Sequence, residues 1–367
     1  MSILTKGFLK KHFGESNGIL FKCDPAQLFG QERLGLSNLE YLGNDSSKYF
    51  NSYELKSKFG WNKLVSLIEI INFKPELLHT VLNVDEILWA FALNTTLCNY
   101  DSYNGFGFHN FYLYMTGDGI FHYIPCDLNE SFGGALIGSF KNSKKEFYSI
   151  DPFLGASKKY NYPLLNAILK NPEYKKRYSN HIRTIIENNL TNKKLNVLVK
   201  YLQNQIVESA KADSNNLFNL NEFYLNVDSP IFNKSSNWEY AGIFSTVNNR
   251  KDYLLNNKFI NSPLPKITDL NINSNLVSVN VQGAKNVWLM YREKNTSSVF
   301  QKIKMIYNNT DLKLSQDKCQ YSVFIPLLTN EYSIEFYIMA ENDYSVVFEP
   351  KKAETEYFIY EGEHSPN

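Results

Sequence analysis

A chain of 367 residues is long enough for two domains of ordinary size. Its 38 Lys and Arg against 37 Asp and Glu leave a formal charge of +1, which argues against nucleic-acid binding through a broadly basic surface. Hydrophobic residues at 43% and aromatics at 15% exclude a disordered chain.

Lys6, Lys10 and Lys11 interrupt the start of the chain, so no secretory signal is expected there. No run approaches the roughly 18 apolar residues a membrane span needs. Cys23, Cys98, Cys126 and Cys319 form no CxxC, and the six histidines form no HExxH. The expectation is free thiols and no zinc site, with the compartment left open.

The elements follow in chain order. A helix is expected over Lys63–Asn72. A stronger one covers Asp85–Asn99, with Asp85 and Glu86 complementing its N-terminus and Ile87, Leu88, Phe91, Ala92 and Leu97 on one apolar face. Asn110–Met115 and Ile120–Ile124 read as a hairpin joined by Thr116-Gly117-Asp118-Gly119. Further helices are expected over Leu164–Leu169, Pro172–Asn188 and Lys193–Ala212. Near Asn261-Ser262-Pro263-Leu264-Pro265 the periodicity changes, and a domain boundary is expected between residues 262 and 263. Beyond it, six or seven strands suit a β-sandwich: Leu276–Val281, Val287–Tyr291, Ile303–Tyr307, Tyr321–Ile325, Ser333–Ala340 and Glu356–Tyr360.

Polar residues cluster at one end of the hairpin. Asn110 opens its first strand and Asp127 follows its second, so an antiparallel pairing returns both to the same end. Asp101, nine residues before Asn110, lies near both if its loop folds back. Asp, then Asn, then hairpin, then Asp is the order a kinase-like lower lobe needs. The first Asp handles the acceptor hydroxyl, and the Asn and second Asp hold Mg²⁺ through hard oxygen ligands. Asx residues beside hairpins are also ordinary turn chemistry.

The wider wording is more specific. Leu97-Cys98-Asn99-Tyr100-Asp101-Ser102-Tyr103-Asn104-Gly105, His109-Asn110-Phe111-Tyr112-Leu113-Tyr114 and Ile124-Pro125-Cys126-Asp127-Leu128-Asn129-Glu130-Ser131-Phe132-Gly133 together resemble the spore coat protein H (CotH) atypical protein kinase family. That family's pattern is an Asp-containing loop, HNYYLY, then PWDLD or PWDLNE followed by FG. Here Cys126 replaces the usual Trp, and Asn129 follows the DLNE variant. Weaker echoes are Phe8 to Gly14 with Gly18 to Lys22, Tyr53 to Lys56, Pro163 to Leu165 and Arg250 to Leu254. The resemblance spans about residues 3–258.

It implies an α+β chain. Residues 1–262 would form a kinase-like C-terminal lobe, mostly helical with a β-hairpin at the site. Residues 263–367 would form an all-β immunoglobulin- or fibronectin-like sandwich. It implies transfer of the ATP γ-phosphate to serine of a coat or surface protein, with Asp101 as base and Asn110 and Asp127 as Mg²⁺ ligands. It also implies a spore-coat or extracellular setting; the charge balance and the lack of a long apolar run add the expectation of no nucleic-acid partner and no membrane span. In the family a β-rich upper lobe precedes the segment that starts here near Ile3, and it carries the basic residue for the phosphates. The expectation is therefore either a separately encoded upper lobe or a pseudokinase acting as an interaction protein. Lys22, Lys56 and Lys141 are the lysines named for the phosphates, each with a solvated-surface alternative. Trp61, Trp89, Trp238 and Trp288 read as core anchors rather than sugar-stacking platforms, Asp24 as a turn residue before Pro25, and His109 as packing or capping, with contact to a phosphate as the alternative.

Overall fold

The computed structural model describes residues 4–24, 35–136, 147–154, 161–215, 218–233, 238–294, 299–308, 319–326 and 333–362. Up to residue 260 the described helices are α1 (Lys6–Phe13), α2 (Trp61–Phe73), α3 (Val84–Thr96), α4 (Pro163–Lys170), α5 (Pro172–Asn189), α6 (Asn192–Ala212), α7 (Leu220–Leu225) and α8 (Ile243–Leu255). The strands there are β1 (Ile19–Cys23), β2 (Glu54–Leu55), β3 (Phe111–Met115), β4 (Phe121–Pro125), β5 (Ile231–Asn233) and β6 (Trp238–Tyr240). Chain punctuation sets the helix ends. Asn83 accepts from the Glu86 amide to open α3, and Asn171 accepts from the Glu173 and Tyr174 amides to open α5 just before Pro172.

The expected hairpin forms as β3 and β4, with Phe111 opposite Pro125 and Met115 opposite Phe121. It is the edge of an antiparallel sheet in the order β2-β1-β3-β4. Phe111 and Leu113 face a core shared with α2, α3, α4 and α5, while Tyr112 and Tyr114 face Leu9 of α1. Both faces are covered, so the strand reads as a continuous apolar run rather than an alternating one. Phe91 of α3 lies fully buried in this core, stacked on Tyr103 and edge-on to Tyr123. One such burial is worth roughly 1.5–3 kcal/mol.

Past residue 265 every described element is a strand: β7 (Lys266–Asn273), β8 (Leu276–Gln282), β9 (Asn286–Glu293), β10 (Gln301–Lys304), β11 (Ile306–Asn308), β12 (Cys319–Phe324), β13 (Ser333–Glu341), β14 (Val346–Glu349) and β15 (Phe358–Glu361). They form two antiparallel sheets, β10-β9-β13-β14 with β15 beside β13, and β11-β12-β8-β7. Val277, Val279 and Val281 of one sheet meet Leu289, Phe336 and Ile338 of the other in a shared core. The chain is thus mixed α and β, with every described helix before residue 260. The expected run Ile303–Tyr307 is not one strand. It breaks at buried Met305, and its halves pair with different sheets.

Charged groups join the helical part to the sheets. Lys176 of α5 lies 2.5 Å from Glu341, and Arg177 lies 3.2 Å from Glu354 while also pairing within α5 with Glu173 at 3.1 Å. Asp85 was expected to complement a helix dipole. It does stand in the first turn of α3, and it is also buried there, accepting from the Glu354 amide at 3.2 Å and lying 2.9 Å from His181 Nε2. Trp89 stacks on His181 at 3.9 Å, and Trp61 and Trp288 pack against cores; the Trp238 side chain lies outside the described residues. No described helix is long and apolar enough to cross a membrane.

Candidate active site

The loop after α3 folds back as the spacing requires. Asn104 donates to the Phe91 carbonyl at 3.1 Å, Ser102 to the Asn99 carbonyl at 2.8 Å, and the Phe106 amide to the Tyr100 carbonyl at 2.7 Å. These bonds anchor the turn that carries Asp101. From behind, the buried Arg250 of α8 donates to the carbonyls of Thr95, Tyr148 and Ile150 at 2.8, 2.9 and 2.6 Å. Arg250, in the Arg250–Leu254 stretch that echoes the family, thus ties the last turn of α3, which leads into the Asp101 loop, to residues 148–150.

Asn110 meets Asp101 directly. Its Nδ2 donates to the Asp101 main-chain oxygen at 2.8 Å and to Oδ2 at 3.0 Å. Asp127 sits at the same end of the hairpin, because the Cys126 amide donates to the Asn110 carbonyl at 2.9 Å and extends the β3–β4 ladder by one step. The turn after Asp127 is pinned to the same place: the Phe132 and Gly133 amides donate to the Leu97 and Cys98 carbonyls at 2.7 and 3.1 Å. Glu130 lies within the field of both Asp101 and Asp127. Burial and then those two charges raise its carboxyl above the usual range. Asn129 is exposed, its amide reaching Glu130 at 3.2 Å.

Two residues read as structural belong to the same cluster. His109 places Nε2 2.6 Å from Asp101 Oδ1 and Nδ1 3.4 Å from Asp24 Oδ1. Asp24 in turn lies 2.6 Å from Lys22 Nζ. The hydrogen bond from His109, then Lys22, holds the Asp24 carboxyl down at about 2 despite partial burial. Asp24 is therefore more than a turn residue before proline. The available signal was the period of two along β1, which puts Lys22 and Asp24 on one side of the strand. Gly107 makes the His109 position possible, since a Cβ there would lie 2.2 Å from His109 Cδ2.

The backbone is strained where these side chains converge. Cys98, Phe108, Asn110, Asp127 and Phe132 all take left-handed conformations, φ between 52° and 63°. Each costs of order 1 kcal/mol, and such costs collect where side-chain direction matters more than backbone comfort.

The donor set suits a small hard cation. Asn110 Nδ2 is committed to Asp101, so Oδ1 is the atom left for an outside ligand, and Asp127 adds a half-buried carboxylate. Among the described residues no three His, Cys, Asp or Glu side chains converge as a metal-binding group. A two-residue donor set is compatible with Mg²⁺, which keeps most of its shell for water and phosphate oxygens.

Of the lysines named for phosphates, Lys22 is tied to Asp24 and Lys56 to Glu54, and Lys141 lies outside the described residues. Cys126, where the family usually has Trp, is half-buried, and burial together with Asp24 pushes its thiol up to about 12. All four cysteines are free; Cys23 and Cys98 are buried, Cys126 and Cys319 half-buried. A cavity of about 510 Å³ lies elsewhere, at the seam between α3, α5 and β10, and none of Asp101, Asn110 or Asp127 lines it.

A search of curated proteins finds no match. The family model for CotH kinase protein matches residues 2–254, and that span contains the whole Asp101–Asn110–Asp127 cluster. The chain belongs to the CotH kinase protein family, and its function is kinase-like at the level of that family.

Proposed function

We propose that the chain is a CotH-type protein kinase that transfers the γ-phosphate of ATP to serine of a coat or surface protein. In this reading residues 1–262 are a kinase-like lower lobe, and residues 263–367 an immunoglobulin-like sandwich appended to it. The observation that carries the proposal is the Asp101–Asn110 contact beside Asp127, in a chain of this family. Asp101 orients the serine hydroxyl and takes its proton as the oxygen bonds to the γ-phosphorus and the bond to the leaving ADP oxygen breaks. His109 and Asn110 each engage one oxygen of Asp101, which fixes its orientation without blocking its remaining lone pairs. Asn110 Oδ1 and Asp127 would hold Mg²⁺, which when bound neutralises the nucleotide phosphates.

Calorimetric titration with ATP tests the binding half of this proposal. Wild type should bind ATP in Mg²⁺ and at least tenfold more weakly in EDTA. Asn110→Ala and Asp127→Asn should lose that difference at a temperature where far-UV circular dichroism shows both variants folded. Wild type that shows no Mg²⁺-dependent binding would overturn the kinase reading.

One observation favours a second reading, a pseudokinase that acts as a coat or surface interaction protein. Lys22 and Lys56, two of the lysines named for phosphate stabilisation, are already held by carboxylates. Under that reading Asp101→Ala and Asp127→Ala would leave partner binding intact.

A further inference from the structure

Strand β1 turns Ile19, Phe21 and Cys23 into the core, and its alternation turns Lys22 and Asp24 to the other side. The register sets Cys23 opposite Phe111 of β3, so the chain delivers Asp24 beside Asn110 and its neighbour His109. A continuous line of ionisable groups results. Lys22 Nζ lies 2.6 Å from Asp24 Oδ2, Asp24 Oδ1 lies 3.4 Å from His109 Nδ1, and His109 Nε2 lies 2.6 Å from Asp101 Oδ1. Side-chain exposure is 15% at Lys22, 18% at Asp24 and 13% at His109, against 26% at Asp101. The line is therefore sheltered along its length and most open at the proposed base. Sheltering such groups costs stability unless each is held by the next, and here each one is.

We propose that the Lys22–Asp24 pair positions Asp101, acting through His109, for the phosphate transfer proposed above; the role rests on that reading. A ring tied at Nε2 alone still swings about its side-chain bonds. A second tie at Nδ1 removes that freedom, in the manner of a catalytic base oriented by a third group. The missing Cβ of Gly107 leaves room for the ring edge to lie there. Asp24 suits the task because His109 and Lys22 hold it as the carboxylate. Lys22 then serves Asp24 rather than the nucleotide phosphates. All three are positioning residues, and Asp101 alone meets the reacting hydroxyl.

Kinetics and NMR of the full chain test the proposal, at a temperature where far-UV circular dichroism shows every variant folded. Asp24→Ala should lower kcat for γ-phosphate transfer roughly tenfold to a hundredfold, and Lys22→Met should lower it less. KM for ATP and the calorimetric affinity for Mg²⁺-ATP should stay within about twofold of wild type in both. Asp24→Asn keeps an acceptor oxygen without the charge and should fall between wild type and Asp24→Ala. Adding His109→Gln to Asp24→Ala should cost little more than either change alone, because both act through one ring. Long-range proton–nitrogen spectra of the nucleotide-free chain give a readout that needs no activity, with His109 assigned by its loss in His109→Gln. The His109 ring-nitrogen signals should shift in Asp24→Ala. Unshifted signals, or transfer by Asp24→Ala within about twofold of a transferring wild type, would overturn the proposal. Weaker Mg²⁺-ATP binding by Lys22→Met at unchanged kcat would assign Lys22 to the phosphates and overturn its place in the pair. Wild type that transfers no phosphate would overturn the kinase reading itself, while shifted ring signals would still support Asp24 as the group that sets His109.

Discussion

Nε2 of His109 lies 2.6 Å from Oδ1 of Asp101, while the next residue, Asn110, donates to Oδ2 of the same carboxylate at 3.0 Å. Two consecutive residues at the mouth of β3 thus grip both oxygens of the proposed base. Their opposed directions are possible because Phe108 and Asn110 both adopt left-handed backbone.

His109 is a positioning residue in this account. His109→Gln should lower kcat for phosphate transfer roughly tenfold to a hundredfold while leaving KM for ATP within about twofold, because it orients Asp101 rather than the nucleotide. Gly107→Ala should give the same pattern, since its Cβ would push the imidazole away from Asp101. Steady-state kinetics at one pH decide the matter. A rise in KM with unchanged kcat would remove His109 from this role.

Asp24 links β1 to the site and makes an acid-labile contribution to stability. Its folded pKa, about 2, is below the ordinary carboxylate value, so its contribution is fully present above about pH 4 and is lost as pH falls through 2. Asp24→Asn should cost about 1–2 kcal/mol at pH 5 in urea unfolding, with the gap to wild type narrowing between pH 4 and pH 2. A gap independent of pH would contradict the His109 and Lys22 contacts as its source.

Glu354 has the opposite sign. Burial, and then the neighbouring Asp85 charge, push its carboxyl up to about 7, against the pull of Arg177. A carboxyl raised on folding stabilises below its unfolded pKa, and the benefit disappears as pH rises through the folded value. Wild type should therefore lose stability relative to Glu354→Gln as pH climbs from about 4.5 through 7, read as melting temperature at pH 5, 6, 7 and 8. Parallel curves would contradict it.

Arg250 should be among the costliest single positions. Its removal leaves the Thr95, Tyr148 and Ile150 carbonyls without their donor in a buried setting. Arg250→Met should destabilise by roughly 3 kcal/mol or more in urea unfolding. It should also loosen the Asp101 loop, seen as faster amide exchange at residues 99–106. A loss under about 1 kcal/mol would show that this tie is dispensable.

Much of this architecture is legible from pattern alone. The helix expected over Pro172–Asn188 forms over Pro172–Asn189, because Asn171 and Pro172 announce its start unambiguously. The hairpin and the return of Asp127 to Asn110 follow from antiparallel geometry. What escaped depends on contacts between distant segments. Asp85 looks like a dipole complement, yet its partners His181 and Glu354 lie 96 and 269 residues away. His109 looks like a capping residue until β1 brings Asp24 beside it. The break at Met305 is invisible because Ile303, Met305 and Tyr307 read as one apolar run, and only the stacking of two sheets separates them.

Under the proposed function, Asp101 and Asp127 carry out Mg²⁺-dependent phosphate transfer. Its most direct test is release of label from γ-³²P-ATP onto serine of a coat- or surface-protein acceptor, measured in parallel for wild type, Asp101→Ala and Asp127→Ala. The account predicts Mg²⁺-dependent incorporation by wild type and a loss of at least a hundredfold in each variant with the fold retained. Incorporation that persists in both variants would contradict it.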